Sequence, residues 1–189
     1  FHTPDDFYVY PYYTGATKLA LVNRAREQYD GFDIVLKEFT AMFLYNIAKP
    51  YWKKKHICLV DEKYSTRAQD NGYYFFKHCM EHDEEKYLGQ KIYYVITKDS
   101  PDYDMIRPYK KNVVHFMTIR HMCYILAAEL LVSTDARSHI YAQRSRHSIF
   151  TRYTKKLPFV FLQHGVTALK QVGPLFGRKG SNNGKTENR

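Results

Sequence analysis

The sequence lacks the glycine-rich loops that bind the phosphates of nucleotides. GRKGSNNGKT at 177–186 ends like a P-loop, but its spacing is wrong and no strand and helix flank it. The sequence also contains no apolar run long enough to cross a bilayer. Its most apolar run, MCYILAAELLV at 122–132, is too short and contains Glu129. Three cysteines form no disulfide framework, which favours a reducing, cytosolic compartment.

Acidic residues are almost missing from the last quarter of the chain. Residues 141–189 carry ten Lys and Arg against the single acid Glu187, whereas residues 1–140 carry 19 Lys and Arg against 18 Asp and Glu. The net charge of +10 is therefore concentrated near the carboxyl end. This pattern is typical either of a solvated basic face or of a surface for polyanions, namely nucleic acid, anionic lipid or a phosphate-rich polymer.

What the sequence does contain is a regular alternation of apolar strands and helices. We expect five strands, at 56–62, 91–97, 112–117, 130–134 and 159–163. We expect helices at 35–49, within 68–82, from Ser100-Pro101 and at 119–129. Continuous apolar strands between helices predict an α/β fold, with a Rossmann-like parallel sheet covered by helices on both faces.

The same pattern divides the chain into three parts. Residues 1–50 form an amino-terminal lead-in of strands and a helix, residues 51–176 the Rossmann-like domain, and residues 177–189 a polar tail that we expect to be disordered. The chain opens at Phe1 rather than Met and shows no signal peptide, so we expect a piece of a longer protein.

His164 is the sharpest candidate for chemistry. It follows the apolar strand FVFLQ and precedes Gly165, at a strand end where open α/β sheets bind ligands. A neutral imidazole can take a proton from a hydroxyl nucleophile, and Gly165 lets a substrate approach the backbone. Asp61-Glu62, Ser100 and 133–135 fall at the same edge of the predicted sheet.

Other candidates have simpler interpretations. His78 and His82 are four residues apart on a predicted helix, which suits two metal ligands but equally suits half-buried histidines; no metal is expected. The arginines around His139 and His147 suit phosphate groups or a solvated loop. YWKKK at 51–55 suits a membrane surface or a basic linker.

Four motifs occur in an order that resembles the CDP-glycerol glycerophosphotransferases, the teichoic-acid primases and polymerases of Gram-positive bacteria. They are AQDNGYYFFKH (68–78), KIYYVITKDSPDY (91–103), NVVHFMTIRHMCYILAAELLVST (112–134) and FVFLQHGV (159–166). The resemblance covers about 50–176 and implies the amino-terminal, acceptor-side half of a GT-B fold. In the family the second half supplies most contacts to the donor, and we expect this chain to contain only the first half.

The resemblance implies an enzyme that moves glycerol phosphate from CDP-glycerol to the terminal hydroxyl of a lipid-linked, anionic polyol-phosphate acceptor, with release of CMP. It implies His164 as general base, no cofactor, and a place at the anionic inner face of the plasma membrane. We assign six further residues to substrate binding: Gly165, Asp70, Asn71, Arg120, His121 and Gln163.

This chain departs from the family in two motifs and leaves rival functions open. Family members often have Thr-Pro after His-Gly, where this chain has Val166-Thr167-Ala168, and Lys where it has Arg120. One rival is another GT-B transferase with a ribitol-phosphate or nucleotide-sugar donor. Another is a non-catalytic module that uses its basic segment to hold an anionic polymer or nucleic acid. No standard nucleic-acid motif is present, so no nucleic-acid partner is expected.

Overall fold

The structure is a computed structural model that describes residues 7–13, 18–83, 88–142 and 148–163. The seven strands are β1 Phe7–Tyr13, β2 Leu19–Ala25, β3 Ile57–Asp61, β4 Lys91–Ile96, β5 Val113–His115, β6 Ala128–Ser133 and β7 Phe159–Phe161. The α-helices are α1 Phe32–Ile47, α2 Lys49–Lys53, α3 Asn71–Glu81, α4 Tyr103–Ile106, α5 Ile119–Ala127 and α6 Ile149–Lys156. Short 3-10 helices span Lys63–Ser65, Arg107–Asn112 and Arg137–Ile140.

Five of the strands form one parallel sheet in the order β5-β4-β3-β6-β7. Val60 in the central strand β3 pairs with Tyr94 of β4 and with Val132 of β6. The chain thus starts in the middle, runs to one edge of the sheet, and then returns to the other edge. This confirms the predicted α/β fold with a Rossmann-like parallel sheet.

Alternate residues of the strands face two separate cores. Leu59 and Val95 belong to the core under α1, α5 and α6, whereas Cys58 and Tyr94 belong to the core under α3 and α4. Both faces of the sheet are therefore covered by helices, which explains why its strands are apolar along their whole length.

The helix α1 joins the first of these cores through one face only. Ile34, Ala41 and Tyr45 are buried on that face, and the Cys123 sulfhydryl of α5 donates to the Ala41 carbonyl. Ahead of α1, the strands β1 and β2 form an antiparallel ribbon. Within the described residues, no helix has both the length and the apolar character needed to cross a bilayer.

Several predicted boundaries differ from those of the structure. The helix predicted at 119–129 ends at Ala127, because Ala128 already has extended dihedrals (φ −65°, ψ 139°) and pairs with Ile57 in the sheet. The strands β5 and β7 are only three residues long. Helix α6 was not predicted at all; its N-cap is Ser148, whose hydroxyl accepts from the Phe150 N–H.

Candidate functional site

The carboxyl edge of the sheet contains the point where the strand order reverses, between β3 and β6. In open α/β sheets this crevice is where ligands bind. Asp61 ends β3 and Glu62 follows it, Ser100 lies in the loop after β4, and Ser133 ends β6 with 134–135 directly after it. These three predicted groups therefore lie at one edge of the sheet.

The carboxylate of Glu62 lies at the amino terminus of α3, the position at which many α/β proteins bind a phosphate. Its side chain is fully buried, and Oε1 accepts from the Asp70 N–H and Oε2 from the Tyr73 N–H, both at 2.9 Å. The Gln69 N–H also donates to Oε1. Burial raises the pKa of Glu62, and the three backbone donors lower it. The helix terminus is thus already satisfied by a carboxylate and offers little to a phosphate.

The motif Asp70-Asn71-Gly72 fits this arrangement residue by residue. Asp70 caps α3 by accepting from the Asn71 N–H at 2.8 Å. A Cβ on Gly72 would lie 2.9 Å from Glu62 Oε2, so only glycine leaves room for the capping carboxylate. The Asn71 side-chain N–H donates to the carbonyl of Gln163. This motif therefore connects α3 to the segment that leaves β7.

Asp61 is a second buried carboxyl at this edge, with 1% of its surface exposed. Burial raises its pKa to about 7; hydrogen bonds from Ser133 and Ser65 lower it, and the charges of Asp135 and Glu62 raise it. Its Oδ1 has no hydrogen-bond partner within the described residues. Asp61 therefore holds its proton at near-neutral pH because it is buried among other acids.

The turn at 63–65 is strained in a way that fixes one aromatic ring. Lys63, Tyr64 and Ser65 have φ values of +46°, +58° and +58°, a left-handed conformation that costs non-glycine residues roughly 1 kcal/mol or more each. The Tyr64 N–H donates to Asp135 Oδ2 at 2.8 Å. The Tyr64 ring stacks on His139, with ring centroids 3.9 Å apart. Two residues of the loop after β6, Asp135 and His139, thus fix the position of the Tyr64 ring, which belongs to the loop after β3.

A cleft of about 640 Å³ opens beside this turn, and we call it the carboxyl-edge cleft. Tyr64, Arg67, Asp99 and Ser138 contribute to its lining, as does Tyr29 from the segment ahead of α1. A cavity of this size is in the range of small-molecule sites.

The two residues predicted from TIRH to bind substrate have different environments. Arg120 is exposed, and its guanidinium lies 5.2 Å from the centroid of the Tyr124 ring. His121 is fully buried, and its Nδ1 accepts from the Met117 N–H at 3.2 Å. Burial lowers the pKa of His121 to about 3, so its ring is neutral. Their role toward substrate stays a prediction.

His164 and Gly165, the sharpest candidates, lie outside the described residues. The chain is described up to Gln163, which is exposed and follows Leu162 directly. The Leu162 N–H donates to the Ser133 carbonyl at 2.8 Å, and Asn71 holds the Gln163 carbonyl. The segment that leads into His164 is therefore anchored at the carboxyl edge by two hydrogen bonds.

The remaining candidates are less informative. The rings of His78 and His82 stack with centroids 4.2 Å apart, and His82 Nδ1 lies 3.0 Å from the His78 carbonyl oxygen. In the described ranges no group of three or more His, Cys, Asp or Glu side chains is placed to hold a metal. Most of the basic segment after 141 and the whole polar tail lie outside those ranges.

Several residues at this edge were missed by the sequence analysis, notably Tyr64, Arg67 and Asp99 in the cleft. One signal was available, because each loop that follows a parallel strand must lie at the carboxyl edge. Polar and aromatic residues in the loops after β3 and β4 were therefore candidates for the site from the strand pattern alone.

The chain is similar to the minor teichoic acid biosynthesis protein GgaB of Bacillus subtilis (strain 168). The two are 32% identical over 119 residues, which is 63% of this chain. The match covers 12% of the length of that relative, so the chain corresponds to a small part of it. No family model matches the chain. Among solved structures no match was found.

Proposed function

We propose that this chain is the acceptor-side half of a GT-B transferase that acts in teichoic-acid synthesis. The observation that carries the proposal is the similarity to a teichoic acid biosynthesis protein over 119 residues. The Rossmann-like sheet supports it, because one such sheet is what half of a GT-B enzyme requires. The donor would then bind mainly to the other half.

The reaction we propose is transfer of glycerol phosphate from CDP-glycerol. His164 takes the proton of the acceptor's terminal hydroxyl, and the oxygen attacks the β-phosphorus of the donor. The bond from that phosphorus to the CMP oxygen breaks, so a phosphodiester forms and CMP leaves. Positioning does most of the work in such transfers. The two hydrogen bonds that anchor 162–163 support this role, since they fix the chain immediately before His164.

We also place the protein at an anionic membrane surface, through α1. Five large apolar side chains lie on the face of α1 opposite its buried face, and each is between 60% and 81% exposed: Phe32, Leu36, Phe39, Phe43 and Ile47. The exposed lysines Lys49, Lys53 and Lys54 follow directly. Apolar insertion beside basic charge suits the anionic lipid interface.

Co-sedimentation with vesicles tests this placement. The chain should bind phosphatidylglycerol-rich vesicles and lose that binding when Phe39 and Phe43 are both changed to Asp. The matched double change of Tyr74 and Leu88, two exposed apolar residues far from α1 in sequence, should leave it intact. Equal binding by both variants would contradict the placement.

The test of the transferase function is CMP release by the complete protein that contains this chain, with CDP-glycerol and a glycerol-phosphate acceptor. His164→Ala should lower the rate about 10³-fold, the contribution of a general base. His56→Ala, an exposed histidine at the opposite edge of the sheet, should leave it unchanged.

The other outcomes identify the rival functions. The protein could release no CMP from CDP-glycerol and yet turn over a CDP-ribitol or nucleotide-sugar donor. That result would change the assigned donor and retain the proposed transferase function. Full activity of His164→Ala would remove the base assignment. Salt-sensitive binding of the polymer without turnover of any donor would indicate the non-catalytic basic module.

A further inference from the structure

Three carboxyl groups lie close together beneath the left-handed turn at 63–65. Asp61 ends β3 and Glu62 follows it, and both are buried, while Asp135 follows β6 with 17% of its side chain exposed. The charges of Asp135 and Glu62 both act on Asp61. Within the described residues, no Lys, Arg or His forms an ion pair with Asp61. An ionised Asp61 would therefore be a buried charge among other acids, with no cation to balance it.

The charged and titratable groups on the surrounding elements have other partners. The pairs are Lys63 with Asp70 at 3.8 Å, Arg67 with Asp102 at 3.9 Å, and His139 with Asp135 at 3.6 Å. On β4, the hydroxyl of Tyr94 donates to the Arg67 carbonyl at 2.9 Å, and burial raises the pKa of Tyr94 so that it stays neutral. Asp61 contacts the hydroxyls of Ser133 and Ser65, and its Oδ1 has no hydrogen-bond partner in the described part of the chain.

The left-handed turn separates Asp61 from the solvent. Ser65 is fully buried, and its Oγ lies 3.5 Å from Asp61 Oδ2, whereas Tyr64 keeps 52% of its surface exposed on the outer side of the turn. The Ser65 N–H donates to the Glu62 carbonyl at 2.8 Å, and the Thr97 N–H donates to the Ser65 carbonyl at 2.7 Å. Because the three residues of the turn have positive φ and none is glycine, opening the turn releases strain.

Ionisation of Asp61 and opening of the turn are physically coupled. An ionised carboxylate needs hydrogen-bond donors, and water reaches the 1% exposed Asp61 when its cover moves away. Burial raises the pKa of Asp61 to about 7 under the closed turn, whereas a solvated carboxyl titrates near 3.8. Opening therefore releases a proton between these pH values. The closed turn is fully favoured below them and loses stability as the pH rises to about 7.

We propose that the left-handed turn is a pH-sensitive cover over Asp61, closed while Asp61 is protonated and opened by its ionisation. Tyr64 lines the carboxyl-edge cleft and moves with the turn, so opening removes an aromatic side chain from the wall of the cleft and breaks its stack on His139. The cleft thus has its complete wall at acid pH and loses part of it at alkaline pH. This device is independent of the proposed transferase function.

Hydrogen exchange of backbone amides, measured by NMR on the isotope-labelled 189-residue chain, tests the proposal. The protection of an amide, its slowing relative to an unstructured chain at the same pH, reports how often its hydrogen bond opens. Protection of Ser65 should fall about ten-fold per pH unit from about pH 5 to pH 7, because one proton is released, and should then level off. Leu131 in the buried strand β6 should stay far better protected, because it exchanges when the sheet itself unfolds.

Two matched variants isolate the carboxyl group responsible. Asp61→Asn keeps the shape of the side chain but cannot ionise, so protection of Ser65 should lose this slope. Asp104→Asn removes an exposed carboxylate of α4 and should keep the slope of the wild type. His139 and Asp135 also titrate near the turn, but both are present in every protein compared, so the difference between wild type and Asp61→Asn reports Asp61 alone.

Two results would overturn the proposal. One is an equal slope at Ser65 in the wild type and in Asp61→Asn. The other is equal protection of Ser65 and Leu131 at every pH, which would mean that the turn opens only with the whole sheet; this result needs the wild type alone. A chain that fails here but releases CMP in a His164-dependent way would keep the transferase function and lose the pH-sensitive cover. A chain with this cover whose complete protein turns over no donor would do the reverse.

Discussion

The two edges of the sheet carry similar residue types in opposite environments. At the carboxyl edge Glu62 is fully buried and Asp61 nearly so, beneath a left-handed turn. At the amino edge Glu129 is exposed, with its Oε2 3.0 Å from Nδ1 of the exposed His56. A cavity of about 510 Å³ there is lined by three lysines. The charge of these lysines would attract an anion to the amino edge. The buried carboxyl groups and the strained turn instead favour the carboxyl edge as the candidate functional site.

The difference between the buried carboxyl edge and the exposed amino edge should be largest when Glu62 and Glu129 are each replaced by Ala. Glu62→Ala leaves the N–H groups of Gln69, Asp70 and Tyr73 without their acceptor. A donor left without a partner costs about 1–3 kcal/mol, with the largest cost at Tyr73, whose N–H is buried, and smaller costs at the other two, which are only partly buried. We expect a loss of about 5 kcal/mol in the free energy of unfolding. Glu129→Ala removes only an exposed ion pair, worth at most about 0.5 kcal/mol. Urea denaturation followed by circular dichroism measures both; losses of similar size would refute the contrast.

The buried Asp61 at the carboxyl edge should also make the free energy of unfolding depend on pH. Folded Asp61 keeps its proton up to about pH 7, whereas the unfolded carboxyl releases it near 3.8, so the wild type loses stability as the pH rises between these values. Asp61→Asn removes that loss. It should be more stable than the wild type by up to about 4 kcal/mol at pH 8, and equally stable near pH 4.

Protonation of His121 changes the free energy of unfolding with pH in the opposite direction, so its effect must be separated from that of Asp61. Its pKa is lowered from 6.5 to about 3, so its contribution to stability is lost as the pH falls through that range. Both wild type and Asp61→Asn contain His121, so the difference between their unfolding free energies at each pH isolates Asp61. The same difference at pH 4 and pH 8 would mean that Asp61 is ionised in the folded protein.

The strand pattern predicted the sheet and several of the residues at its carboxyl edge, because apolar runs and strand ends are local features of the sequence. The capping of α3 by Glu62 was not predicted, since it joins a strand end to backbone groups seven to eleven residues later. The left-handed turn at Tyr64 contains no glycine that would have indicated it. His121 was assigned to substrate on sequence grounds, and its complete burial depends on how α5 packs. The role of His164 stays a prediction.

The smallest effect we expect concerns positioning rather than stability. Asn71 donates to the Gln163 carbonyl, and we infer that this bond aligns the segment leading into His164. Asn71→Asp keeps the shape of the side chain and removes the N–H donor, so kcat for CMP release should fall about ten-fold, roughly 1.4 kcal/mol, with little change in KM. The exposed Asn46 at the end of α1 offers the matched change Asn46→Asp, which should leave kcat unaltered. Because Asn71 acts through His164, its loss should cost much less once His164 is already Ala. An undiminished cost in that double variant would show that Asn71 acts on substrate directly.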